Sequence, residues 1–344
     1  MRVSGLIATF FAAAAFTPAG AQTLQEFKGA DSIAIVDFTG TVEIVPGGDK
    51  IAAALTEGAR ATPVDMQVKN GVLVVAGERR SRNFNIHDEI DWRRNKEHAF
   101  EIYLRDYPTL KIHAPLGSGV TFERAVVMAK AGDTKGDLRI DEGYVEAVIG
   151  DVRNADIRIV SSGDVALGAV SEALMVRING SGDVSALSAG RADLRISGSG
   201  DVTVGPVAGG AGVDIGGSGD VSIASAGGVS DVMIGGSGDV RIGEARGGAK
   251  LSIAGSGDIT VADVSGPAKA SIAGNGDIRI DGGRAENLVV TIAGSGDFTF
   301  GGVSTNLDVS VVGSGDVVVA ENEGSLRHSG RGDIVVGGRR LTKD

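Results

Sequence analysis

Short runs of alternating apolar and polar residues recur along this chain at a nearly fixed interval. "DVTV", "DVSI", "DVRI", "DITV", "DIRI" and "DFTF" begin at Asp201, Asp220, Asp239, Asp258, Asp277 and Asp297. A second set, "VDI", "VMI", "LSI", "ASI", "VTI" and "VSV", lies just before the next Gly-rich corner. Alternation with period two predicts strands with one buried face. Val202, Val204, Val213 and Ile215 are expected to point inward, with Thr203 and Asp214 outward. Between the two strands of a repeat, segments such as "GPVAGGA" and "GEARGGA" mark a turn.

The corners carry the motif Gly-Ser-Gly-Asp and its variants. Their aspartates are Asp164, Asp183, Asp201, Asp220, Asp239, Asp258, Asp277, Asp297, Asp316 and Asp333, in steps of 19, 18, 19, 19, 19, 19, 20, 19 and 17 residues. A period near 20 is the mark of a stacked solenoid. One rung of two short strands cannot bury its apolar face alone, but rungs stacked about 4.8 Å apart bury a continuous column. The pattern therefore predicts an all-β fold, a parallel β-helix with rungs of about 19 residues, right-handed by the crossover rule. Gly136-Asp137 and Gly150-Asp151 read as shortened corners. The glycines are expected to supply positive φ, and Asp and Ser to bind turn amides.

Upstream, "DSIAIVDFTGTVEIV" alternates around Thr39-Gly40, and "VDMQVKNGVLVV" alternates around Asn70-Gly71. Asn-Gly between alternating runs signals a hairpin. "AFEIYLRDYPTLKIHAP" is expected to form two more strands broken at Pro108. Between them, Arg79–His98 is a charged insertion holding the single tryptophan, Trp92. His87, Asp88, Glu89, Asp91 and His98 lie here without the spacing of a metal motif. The segment reads as a solvated loop anchored by Trp92.

Composition sharpens this picture. Aromatic residues make up 4% of the 344 residues, so the core must consist of small and branched side chains. The 55 glycines are about twice the usual share, and their periodicity argues against disorder. With no cysteine there is no disulfide, thiolate metal site or cysteine nucleophile. "MRVSGLIATFFAAAAFTPAGAQ" has a basic start, a short apolar run and the small-x-small site Ala19-Gly20-Ala21. Residues 1–21 are thus expected to be a secretory signal peptide, with the mature chain starting at Gln22. Losing Arg2 takes the net charge from −11 to −12. An acidic exported chain is a poor partner for nucleic acid or anionic lipid, and no membrane span is expected.

Three features occur together: the N-terminal unit with "FTGTVEIVPG" and "VKNGVLVVAGE", the passage "EIYLRDYPTLKIHAPLGSG", and the tandem Gly-Ser-Gly-Asp rungs. Over roughly residues 25–335 they resemble the bacterial family described as "putative auto-transporter adhesin, head GIN domain". The resemblance implies an exported β-helix protein of the periplasm, cell surface or extracellular space, and brings no catalytic residues. The expected organisation is a signal peptide (1–21), an N-terminal β-strand capping region (22–116) containing the insertion 79–98, a parallel β-helix (117–326) and a basic C-terminal cap (327–344).

The function expected is non-enzymatic and adhesin-like, with an extracellular or envelope ligand, glycan or protein. The alternative is a β-helix enzyme acting on an extracellular polysaccharide. A catalytic cluster should break the repeat, yet nearly every carboxylate in the rungs belongs to it. No catalytic, cofactor-binding or metal residue is assigned. The outward positions Thr203, Ser222, Arg241, Thr260, Arg279 and Thr299 form no unbroken Thr ladder, although Arg241 and Arg279 lie two rungs apart. The calcium β-roll pattern, with period nine, does not match. Arg331-Gly332-Asp333 and the sequon Asn179-Gly180-Ser181 both fall at rung corners. Aspartates stacked from Asp183 to Asp277 would repel by roughly 0.9 kcal/mol per pair in water. Hydrogen bonds from turn amides and a Ser hydroxyl are expected to offset this; bound cations or outward splay are the alternatives.

Overall fold

The computed structural model describes residues 24–60, 62–78, 90 and 99–341. The signal peptide and, apart from Ile90, the insertion Arg79–His98 lie outside them. The chain is a β-solenoid of about 11 turns with parallel stacking. Its strands form one hydrogen-bonded sheet that winds around the solenoid and presents two faces, sheet I and sheet II. In sheet I the strands follow each corner aspartate, and Val202, Val221, Val240, Ile259, Ile278, Phe298 and Val317 stand in one register. In sheet II the strands precede each corner, and Ile196, Ile215, Ile234, Ile253, Ile272, Ile292 and Val311 are likewise aligned.

The inward positions are those expected from alternation. Val202, Val204, Val213 and Ile215 are buried, while Thr203 and Asp214 are exposed. One apolar column runs from Phe27 to Ile334. It is built chiefly of Val, Ile, Leu and Ala, as a chain with few aromatics requires.

The parallel stack continues upstream of residue 117. Ser32–Val36 pairs in parallel with Val120–Ala131 and with Val72–Ala76, and Thr39–Pro46 pairs in parallel with Val120–Ala131 and Thr109–Ala114. Antiparallel strands then end both sheets at this side. Ala52–Thr56 lies on Thr109–Ala114, and Asp65–Lys69 on Val72–Ala76. The second pair is the expected hairpin, with Asn70 at φ 52° and Gly71 at φ 82°, both left-handed as a type I′ turn demands. At the other end, Arg339–Leu341 folds back antiparallel on Ile334–Val336 and closes sheet I. Sheet II ends at Leu326–Gly330, which pairs with Phe298–Val311 and has no described strand beyond it.

Two expectations need correction. Ala99–Leu104 is a helix, not a strand. Its Phe100 and Leu104 are four apart, share a face and pack in a satellite core with Tyr107, Val126 and Tyr144, which decides for helix over strand. The second concerns the corner glycines. Gly217, Gly236, Gly255 and Gly274 do not adopt positive φ. A Cβ on Gly236 would instead run into the carbonyl oxygen of Gly217 on the preceding rung, and one on Gly255 into that of Gly236. Glycine is needed there for closeness between rungs, not for backbone freedom. One residue earlier the space opens: a Cβ on Gly235 would sit 3.9 Å from the nearest heavy atom, the Ile215 carbonyl oxygen. The equivalent positions in later rungs are Ala254, Ala273 and Ala293.

Candidate functional site

The corner aspartates form a continuous ladder. From Asp164 to Asp316, one oxygen of each corner carboxylate accepts a hydrogen bond from the backbone N–H of the next corner aspartate, at 2.7–3.2 Å. The amide partner is thus the next rung's, not the residue's own turn. Corner serines pair with a neighbouring rung's side chains instead: Ser218 Oγ lies 3.2 Å from Ser237 Oγ, and Ser295 donates to Asn275 Oδ1 at 2.8 Å. Burial raises the Asp183 carboxyl above its ordinary range, with Asp164 and Asp201 adding repulsion and the Asp201 amide opposing them. Among the described residues no three His, Cys, Asp or Glu side chains converge to hold a metal ion. These bonds make a substitution at Asp220 informative. Asp220→Ala strands the Asp239 amide and is expected to lower stability by about 1–2 kcal/mol. Asp220→Asn keeps an acceptor and relieves repulsion, so little loss is expected. Equal losses in denaturant unfolding would contradict the ladder.

On sheet I the outward file runs Thr203, Ser222, Arg241, Thr260, Arg279, Thr299, as expected from the sequence. Arg241 reaches back to Asp239 at 3.4 Å, and Arg279 bonds Asp281. Thr260 stands between the two arginines in the file, so they form no joint site. Asp333 of the RGD triplet takes its corner place, its amide donating to Asp316 and its carboxylate paired with Arg340.

Sheet II carries the larger departure. Its outward file reads Glu123, Asp141, Arg158, Arg177, Arg195, Asp214, Met233, Ser252, Ser271, Thr291 and Ser310. Three arginines stand directly above one another, although like charges in register oppose strand pairing. Beside them is a cleft of about 340 Å³ lined by Arg139, Ile140, Asp141, Asp156, Arg158, Arg177 and Asn179. Three cations against two carboxylates leave it net positive in an acidic chain. Asp141 accepts from Arg139 at 2.7 Å, and Asp156 from Arg177 at 2.9 Å. Each carboxylate is thus held by a guanidinium, a poor setting for a general acid. Arg195 pairs with Asp193 at 3.3 Å. Arg158 differs: its nearest carboxylate oxygens, on Asp141 and Glu142, lie at 3.6 and 3.9 Å, beyond hydrogen-bond reach.

The Arg file was missed in the sequence, yet its signal is there. "Arg-Ile" closes the strand before three successive corners, at Arg158, Arg177 and Arg195, in steps of 19 and 18 residues. Reading the repeat on its second strand exposes it.

Two other places combine aromatic or apolar side chains with basic ones. All three tyrosines gather at the satellite core. Arg60 donates to the Tyr107 hydroxyl at 3.0 Å and lies over the rings of Tyr103 and Tyr107. Tyr144 donates to Glu146 at 3.0 Å, and burial raises the Glu146 carboxyl. Tyr107 and Tyr144 are buried, so these rings anchor the helix and offer little surface. The second place is a shallow apolar trough of about 260 Å³ between Val229, Pro267 and Val289, rimmed by Lys250 and Lys269.

Residues 225–339 match the family model of "Putative auto-transporter adhesin, head GIN domain". The match covers about a third of the chain. Among solved structures, a "putative adhesin" from Bacteroides fragilis is 15% identical, with 92% of this chain and 97% of that chain covered and a TM-score of 0.24. A "Putative lipid binding protein" from Parabacteroides distasonis is 13% identical, with 93% and 96% covered and a TM-score of 0.20. No curated protein matches the chain. Among the described residues no helix is long and apolar enough to cross a membrane.

Proposed function

We propose that this chain is an exported, non-enzymatic binding protein of the cell envelope or surface, which presents sheet II to an extended ligand. One observation carries the reading. Rungs further along the same file stack with Ser252, Ser271, Thr291 and Ser310, so the fold has no need of Arg158, Arg177 and Arg195. Residues that the scaffold does not require, aligned at a cleft, are the pattern of a binding face. The family match over residues 225–339 supports an adhesin-like role, and the apolar run with its small-x-small site supports export.

Glycan and protein arrays probed with the exported protein test the proposal. The same arrays are then probed with a variant carrying Arg158→Gln, Arg177→Gln and Arg195→Gln. The expected result is at least one ligand whose signal collapses in the variant while its melting temperature holds. A variant that keeps every ligand of the parent would remove sheet II from consideration.

A further inference from the structure

We propose that the file Arg158–Arg177–Arg195 grips an acidic polysaccharide laid along the solenoid axis, with one acid group seated at Arg158 in the cleft. This deepens the reading of sheet II as a binding face and rests on it.

Arg158 is the least constrained of the three arginines. Its guanidinium carries five donors, yet among the described residues none makes a hydrogen bond. It is 46% exposed and lines the cleft together with Arg139 and Arg177. Its neighbours in the file are fixed: Arg177 by Asp156 at 2.9 Å and Arg195 by Asp193 at 3.3 Å. Holding a guanidinium on one edge leaves its remaining donors aimed outward and lowers the entropy lost on binding. The fork geometry suits carboxylate or sulfate oxygens.

Periodicity selects a polymer over a small anion. Strand register sets the three arginines one rung apart, about 4.8 Å, in a straight line along the rod. A lone anion would engage one or two of them. A chain with an acid on each unit can follow all three.

The flanking groups select among polymers. Asp141, Asp156, Asp193 and Asn179 border the file and are hydrogen-bond acceptors. A sugar chain brings hydroxyls that donate to them. A polyphosphate backbone brings no such donors and would meet three carboxylates with its dense charge.

The test is calorimetric titration of the exported protein with polygalacturonate at low salt, with dextran as the neutral control. Binding of polygalacturonate alone is expected, weakening as sodium chloride is added. Arg158→Gln should reduce affinity about tenfold, the loss expected for one charge-assisted hydrogen bond. Arg241→Gln on sheet I should change nothing. Equal binding of dextran, or no loss in Arg158→Gln with the fold intact, would overturn the proposal. If polygalacturonate fails to bind but an array ligand is lost in the triple variant, the acidic class falls and the binding face stands. If the triple variant keeps all its ligands, both fall together.

Discussion

Gly236→Ala is expected to destabilise the protein by about 3 kcal/mol or more, while Gly235→Ala, one residue earlier, is expected to be almost silent. The added methyl at Gly236 meets a backbone carbonyl, that of Gly217, which has no rotamer to yield. Relief would require parting two rungs, and with them the hydrogen bonds of the corner, including Ser237 N–H to the Gly217 carbonyl at 2.9 Å. At Gly235 the methyl finds ordinary contact distance, and alanine already stands at that place in Ala254 and Ala273. Denaturant midpoints of the two variants make the comparison, because each serves as the other's control for helix-independent effects of Gly→Ala on the unfolded chain. Similar midpoints would refute steric closeness as the reason for glycine.

Ending the chain at Gly324 is expected to make the protein self-associate more strongly than the whole chain does. The deletion removes Leu326–Gly330, Ile334–Val336 and the antiparallel strand Arg339–Leu341. It bares the edges of Phe298–Val311 and Val317–Asn322, together with Val309, Val311, Val317 and Val319, all of them buried in the whole chain. Long, flat apolar edges recruit other strands. In the intact protein the terminal strands carry Arg327, Arg339 and Arg340, charges that discourage such pairing. Light scattering on the truncated and whole chains gives the answer. A truncated protein that stays as monomeric as its parent would mean that these strands are no cap.

Much of the architecture was legible because period-two alternation and a near-constant step are local properties of the sequence. Val202, Thr203 and Val204 declare their faces without reference to any distant residue. The Asn70-Gly71 hairpin was readable for the same reason. What could not be read depends on what lies one rung away. The alternation of "AFEIYL" hides a helix, since its choice is made by Phe100 and Leu104 meeting Tyr144. The glycine requirement is set by a carbonyl 19 residues earlier, and the aspartate's partner is an amide 19 residues later. Arg158 and Arg177 become neighbours only when the repeat is laid out on its second strand.

The way each rung meets the next has a consequence for how such a protein can vary. The side of a corner that faces the next rung offers both a carbonyl that admits only hydrogen on the Cα it meets and a carboxylate that receives an amide; the opposite side offers that Cα and that amide. Every regular rung shows this same pair of faces. A stretch of 19 residues copied or lost in frame would therefore rejoin its neighbours without a new seam. The molecule behaves as a ruler with a tick of about 4.8 Å, whose reach can be reset by whole ticks while the markings around Arg158 stay as they are.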